Sequence, residues 1–400
     1  MIRFKEARFA FEEAISSLKL SKLDKKKRDK FLKDTRESLE KISVEEDNLS
    51  ESPIQVTKST AEKQKELKLN VERPNTKFKA ASSVINVKYQ KGRGRFVVAE
   101  QDIPVGTTLV LEKPITWAIH PERYGTHCQE CLSQIKAVIP CKTCCGVSFC
   151  SIKCRDIALS SYHRYECGAN HVLIASGLNI YPFLTFRLMA KYGFDHIWSL
   201  KDRLNSHDDT SGALGDSEYR TEDFINTFNL VCHEDKMDSE DHLLRTFVAV
   251  FLLKMLQFNN FFGNCTDIEK FEELSEKELF MAKLLLYFTN TFPQNVHDIA
   301  LLQTSEMKRW VNSSEIKSLG AGVYPTCALF NHSCDPSFMR CNFGKGMVSV
   351  ANRYIFLTST PGRLFNLVPP KKSLIRQRPS TQTKLYLLSY TFQRVIDKIT

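Results

Sequence analysis

The apolar and polar positions change their spacing along the chain, and each change marks a different kind of element. Residues 1–19 place Ala7, Phe11, Ala14, Ile15 and Leu18 on one stripe at helical spacing, which predicts an amphipathic helix. From Ser21 to Thr76 Lys, Glu, Asp and Ser dominate, a composition for a charged helix fading into a flexible linker. Near Ser82 the pattern turns to short alternation: Val84, Ile85 and Val87, then Phe96-Val97-Val98, read as strands, and Thr107 to Leu111 follows a Pro-Val-Gly turn as another. Between about 170 and 290 the period returns to helical, most clearly at Leu244, Phe247, Val248, Phe251, Leu252 and Met255 and at Met281, Leu284, Leu285 and Phe288. These stripes predict core rather than a cofactor box, and Ser275 with Glu278 forms a capping box ahead of the second. His207 to Asp223 reads as a polar surface loop, and Met347 to Ile355 as a final strand.

Composition narrows the function. The 400 residues are 42% hydrophobic and 26% charged, enough to bury a core and unlike a disordered or fibrous chain. The formal charge of +10 is unevenly spread: residues 356–400 hold eight Lys or Arg against the single acid Asp397, a net +7. A basic tail of this kind is a solvated segment before it is a binding face, so nucleic acid is not expected as the main partner. Lys25-Lys26-Lys27-Arg28 reads as a solvated helix face, with a nuclear signal as the alternative. The first sixteen residues carry charges throughout and no apolar stretch for a signal peptide. The longest strongly apolar run, Phe247 to Leu253, is far short of the ~20 residues of a membrane helix, so no transmembrane span is expected. An intracellular protein in cytoplasm and nucleus follows, and there thiols stay reduced, so the 13 Cys point to metal rather than disulfides.

Eight of those cysteines fall within forty residues, spaced Cys128-x2-Cys131-x9-Cys141-x2-Cys144-x5-Cys150-x3-Cys154-x8-His163-x3-Cys167, with Cys145 left over. Four pairs separated by two or three residues let both donors of a pair reach one ion at about 2.3 Å, and eight donors suffice for two closed tetrahedral zinc sites. A closed ligand set leaves no position for substrate, so both ions are expected to be structural.

The ligand order, six Cys, then His, then Cys, resembles the MYND zinc finger; RING and PHD fingers place their His earlier. The resemblance implies interleaved pairing, with Cys128, Cys131, Cys150 and Cys154 on one ion and Cys141, Cys144, His163 and Cys167 on the other. It also implies a protein-interaction surface that takes a proline-rich peptide, and a segment too small to fold without metal.

Two motifs flank the cysteines. Lys91-Gly92-Arg93-Gly94-Arg95-Phe96 is a glycine-rich turn leading into a strand, without the strand-GxGxxG-helix setting of a dinucleotide site or the Lys-Ser/Thr of a P-loop. Gly320-Ala321-Gly322-Val323-Tyr324-Pro325 precedes Leu329-Phe330 and the dense polar group Asn331-His332-Ser333-Cys334-Asp335-Pro336. Taken with the finger, over residues 85–355, these resemble the SET and MYND domain protein-lysine methyltransferases, and the amino-terminal helix is similar to the branch carrying tetratricopeptide repeats.

The resemblance implies an α+β chain: a knotted SET β-fold split by a MYND finger and a helical insertion. Its divisions would be an amino-terminal helix and linker (1–80), a first SET part (81–127), the finger (128–167), the helical insertion (168–319), a second SET part (320–355) and a basic tail (356–400). The implied cofactor is S-adenosylmethionine, with Lys91, Gly92 and Arg93 at its methionine end, Asn331 and His332 fixing it within the knot, and Asn295 reaching it from the helical insertion. The implied substrate is a lysine of a histone or another protein, its neutral amine aligned with methyl and sulfur in a narrow channel. In place of the family's Gly-Glu turn and Tyr-Gly pair the sequence reads Phe-Leu-Thr-Ser-Thr-Pro-Gly-Arg after Ile355, as a truncated or alternative ending would. No catalytic residue is therefore assigned. Cys334 also lacks the later cysteines that would complete a third zinc, so two ions are expected. The alternative function is a zinc-dependent adaptor or corepressor without transferase activity; a RING-type ubiquitin ligase fits the ligand order poorly.

Overall fold

A computed structural model describes residues 2–20, 23–51, 71, 73–90, 94–205, 218–263, 274–303, 315–333 and 335–357. The chain divides into two compact units, one of residues 1–69 with 123–159 and one of residues 70–122 with 160–400. The expected basic tail lies outside the described residues from 358 onward, as do Lys91, Gly92, Arg93, Cys334 and the greater part of the His207–Asp223 loop.

In the first unit, α1 (Ile2–Leu20) and α2 (Lys25–Glu51) pack together. Both follow the amphipathic and charged patterns of the sequence, and from Lys25 to Lys41 helix α2 keeps its Lys and Glu in solvent. The finger supplies a two-stranded ladder, β5 (Ile139–Pro140) with β6 (Ser148–Phe149), and the helix α3 (Ile152–Ser160). Phe9 of α1 lies over the Arg155 guanidinium of α3, centroid to carbon 5.6 Å, so the amino-terminal helix has a partner within its own unit.

The second unit carries three small antiparallel sheets. β1 (Ile85–Gln90) pairs with β2 (Gly94–Ala99). β3 (Thr108–Glu112) pairs with β10 (Gly346–Ala351), which pairs in turn with β9 (Phe338–Phe343). β4 (Thr116–Ile119) and β7 (Val296–Gln303) flank β8 (Glu315–Val323). Leu111 stands opposite Val348 and Trp117 opposite Gly322, so each of two sheets is closed by segments from opposite ends of the unit. Within the second unit, the described residues from 160 to 295 are an insertion between β4 and β7.

That insertion is helical: α4 (His163–Ala175), α5 (Ile180–Tyr192), α6 (Phe194–Ser199), α7 (Lys201–Asn205), α8 (Phe224–Phe228), α9 (Ser239–Phe258) and α10 (Glu276–Asn295). The capping box of Ser275 and Glu278 starts α10, and Met281, Leu284, Leu285 and Phe288 are buried as their spacing predicts. On α9 the stripe is shifted: Val248, Ala249, Leu252, Leu253 and Leu256 are buried, whereas Leu244 is 57% exposed. Among the described residues no helix is long and apolar enough to cross a membrane.

The glycines of the 320–325 motif are explained by strand packing. A Cβ on Gly320 would fall onto the Ala118 carbonyl oxygen of β4, and one on Gly322 would meet the Tyr324 ring and Pro114. Small residues let β8 lie flush on its neighbour.

Candidate functional site

The eight expected metal donors form two quartets. Cys128, Cys131, Cys150 and Cys154 bring their sulfurs within 4.8 Å of one another, and so do the donor atoms of Cys141, Cys144, His163 and Cys167. These are the two sets implied by the resemblance. A tetrahedron with bonds of about 2.3 Å has edges of about 3.8 Å. The separations Cys131 Sγ to Cys150 Sγ (3.4 Å) and Cys150 Sγ to Cys154 Sγ (3.7 Å) match that edge.

The first quartet is also electrostatically unfinished as bare thiols. Hydrogen bonds from Cys128 and Cys154 hold the Cys131 thiol well below its usual range, while burial and Cys131 push Cys150 up to about 12 and the neighbouring sulfurs push Cys154 higher still. One thiolate is favoured at the expense of the others. A divalent cation lets all four ionise, and the sulfur-rich, closed donor set suits zinc. Local structure sets the spacing: Cys150 and Cys154 flank the start of α3, and His163 and Cys167 lie one turn apart on α4. Cys145 is exposed and belongs to neither set.

The second constellation joins the end of β3, which pairs with β10, to the segment that follows β8. Glu112, 2% exposed, accepts the backbone N–H of Thr326 (2.8 Å) and of Cys327 (2.9 Å) and the Thr221 hydroxyl (2.5 Å). Burial raises its carboxyl above the usual range against those three donors. The Tyr219 hydroxyl donates to the Pro325 carbonyl, and that of Tyr324 to the Lys345 carbonyl. The segment leading into Asn331 and His332 is thus held on both sides. Sequence reasoning missed this anchor; Glu112 standing just before Pro114, at the end of an apolar strand, was the available signal.

Asn331 is half-buried and His332 exposed. Within the polar group after them, Ser333 and Asp335 close a turn on each other, and Asp335 grips Arg353. Their role there is architectural. Asn295, buried at the end of α10, donates its amide to the carbonyls of Val231 (2.7 Å) and Thr291 (2.8 Å), which leaves its Oδ1 to accept from a ligand. Two residues on, His297 is buried; Arg340 of β9 donates to its Nδ1, and its Nε2 has no protein partner. Burial and then the Arg340 charge lower His297 to about 3, so the ring is neutral with its proton on Nε2. Asn342 likewise receives Ala300 N–H on its Oδ1 and leaves a buried Nδ2 unpartnered. Buried polar atoms without protein partners mark places that a ligand or solvent fills.

No family model matches the chain. Among curated proteins it resembles the protein-lysine N-methyltransferase SMYD4 of Gallus gallus, 26% identical over 322 residues, which covers 66% of this chain and 43% of that protein. Its curated relatives are SET and MYND domain proteins. One from Dictyostelium discoideum is 24% identical over 61% of this chain and 47% of its own length, and human SMYD4 is 23% identical over 66% and 40%. The chain spans less than half the length of each of these three. The mixed helix and sheet architecture with its Cys/His quartets is consistent with a SET domain protein carrying a MYND finger. Two of these three relatives are named protein-lysine N-methyltransferases.

Proposed function

We propose that the chain transfers a methyl group from S-adenosylmethionine to lysine side chains of a histone or another protein, with two zinc ions holding its finger. The observation that carries this reading is the anchored segment from Tyr324 to His332, pinned by Glu112 at Thr326 and Cys327 and ending in Asn331-His332. Asn331, His332 and the free Oδ1 of Asn295 are the groups that would hold the cofactor, and the unpartnered Nε2 of His297 and Nδ2 of Asn342 fit a polar ligand. Bound there, the sulfonium supplies an electrophilic methyl; the residues around it orient it and exclude water. A neutral lysine amine is the acceptor, and an apolar approach favours its deprotonated form.

The second reading is a zinc-dependent adaptor that binds a proline-rich peptide and transfers nothing. It is favoured by the two closed Cys/His quartets, which would hold a folded finger and leave no open metal position for substrate. Incubating the zinc-loaded chain with methyl-tritiated S-adenosylmethionine and core histones separates the two. Tritium on lysine ε-amines supports the transferase, whereas cofactor binding without label on any protein supports the adaptor. For either reading, cytoplasm and nucleus are the proposed locations.

A further inference from the structure

Helix α4 begins at His163, and Glu166 stands between the two metal donors it carries, His163 and Cys167. Glu166 is 5% exposed. Its Oε1 and Oε2 take Arg187 Nε and Nη2 of α5 at 2.7 and 2.8 Å, a two-pronged pair that cancels an otherwise costly buried charge. Arg187 is itself 4% exposed and does more than neutralise: Nη1 donates to the Trp117 carbonyl of β4 at 2.8 Å, and its guanidinium lies 4.3 Å from the Tyr162 ring centroid. One arginine therefore joins three elements, α4, α5 and β4.

A buried ion pair of this kind is no better for stability than well-packed apolar side chains, so stability alone does not account for a carboxylate here. What stands next to it does. His163 Nδ1 lies 3.9 Å from Glu166 Oε2, which sets a carboxylate beside that nitrogen, and Nε2 would then be the metal donor. Imidazole ligands take such a partner to fix their tautomer and orientation.

The geometry points to Glu166 and Arg187 as positioning residues of the second metal site: Glu166 orients His163, and Arg187 ties the metal-bearing helix to β4 of the SET sheet. This rests on the reading of the quartet as a zinc site. Strand β4 pairs with β8 at Trp117 and Gly322, so filling the site and seating the strand that leads to Tyr324 become one event.

The test is chelator competition on the full 400-residue, zinc-loaded chain, comparing wild type, Glu166→Gln, Arg187→Met, Arg187→Lys and Cys167→Ser, with cobalt substitution read by visible absorption. Glu166→Gln and Arg187→Met should weaken one ion about ten- to a hundred-fold and leave the other unchanged. Arg187→Lys, which keeps charge but loses the fork, should fall between. In the cobalt form Glu166→Gln should shift the bands of the three-sulfur, one-nitrogen site and not those of the four-sulfur site, an effect that lost packing alone does not produce. Should Arg187→Met fail to fold, the near-isosteric Glu166→Gln decides. Wild-type affinity for both ions with unmoved bands in folded Glu166→Gln overturns the inference, while loss of one ion in Cys167→Ser keeps the zinc reading intact. A wild-type chain that binds fewer than two ions overturns both.

Discussion

Glu112 of β3 accepts the backbone N–H of Cys327 at 2.9 Å although 215 residues separate them. That one carboxylate, with a second bond to the N–H of Thr326, ties strand β3 to the segment that carries Asn331 and His332. Replacing it with Ala orphans two buried donors, each costing about 1–3 kcal/mol. Glu112→Ala should therefore lose about 2–5 kcal/mol in urea unfolding of the zinc-loaded protein, and Glu112→Gln, which keeps one acceptor, should lose less. A change in the Ala variant of about 0.5 kcal/mol or under, the size of an ordinary surface substitution, would remove Glu112 as an anchor.

His297 gives a dependence on pH with a definite sign. The native ring stays neutral down to about 3 because burial, then Arg340, opposes its protonation, whereas the unfolded chain takes up a proton near its ordinary 6.5. A basic group with a depressed native value contributes stability above its unfolded value and loses it as pH falls toward the native one. Unfolding free energy of the wild type should thus decline between about pH 7 and pH 5 more steeply than that of His297→Leu. Parallel curves for the two proteins would show that His297 is not buried neutral.

How much of this was legible in the sequence depended on range. The metal quartets could be read because chelation is local: two or three residues between donors is a property of the chain itself, and both helices α3 and α4 keep it. The capping box at Ser275 and the core stripe of α10 were local in the same sense. Strand pairing was not, since Leu111 opposite Val348 and Trp117 opposite Gly322 follow from closure of the whole unit. Strand β7 was hidden because it starts at Val296, directly after α10, with no turn residues between them. The role of Arg187 was hidden for another reason: on an apolar helix such as Ile180–Tyr192, a single arginine reads as a surface residue until Glu166 is placed beside it.

Gly320 tests the close approach of β4 and β8. Because a methyl there meets the Ala118 carbonyl oxygen, Gly320→Ala should push the strands apart and lower stability by about 1–3 kcal/mol, as overpacking does. Gly106 has a positive φ but open space around it, so Gly106→Ala costs only backbone strain and serves as the comparison. If the two variants melt at the same temperature, the tight β4–β8 packing is wrong.

Metal content tests the quartets separately. Elemental analysis of the purified wild type should give two zinc ions per chain, and Cys150→Ser and His163→Ala should each retain one, since the two residues fall in different quartets. Loss of both ions in either variant would mean a single cooperative cluster, and no loss would mean that the donors do not bind.

The central proposal is that the sheet core of this chain holds S-adenosylmethionine through Asn331. Titration calorimetry of S-adenosylmethionine into the zinc-loaded 400-residue protein, beside Asn331→Ala, tests it most directly. The account predicts saturable micromolar binding to the wild type that the variant loses. No heat of binding to a wild-type protein shown to be folded, or equal binding by the variant, would contradict it.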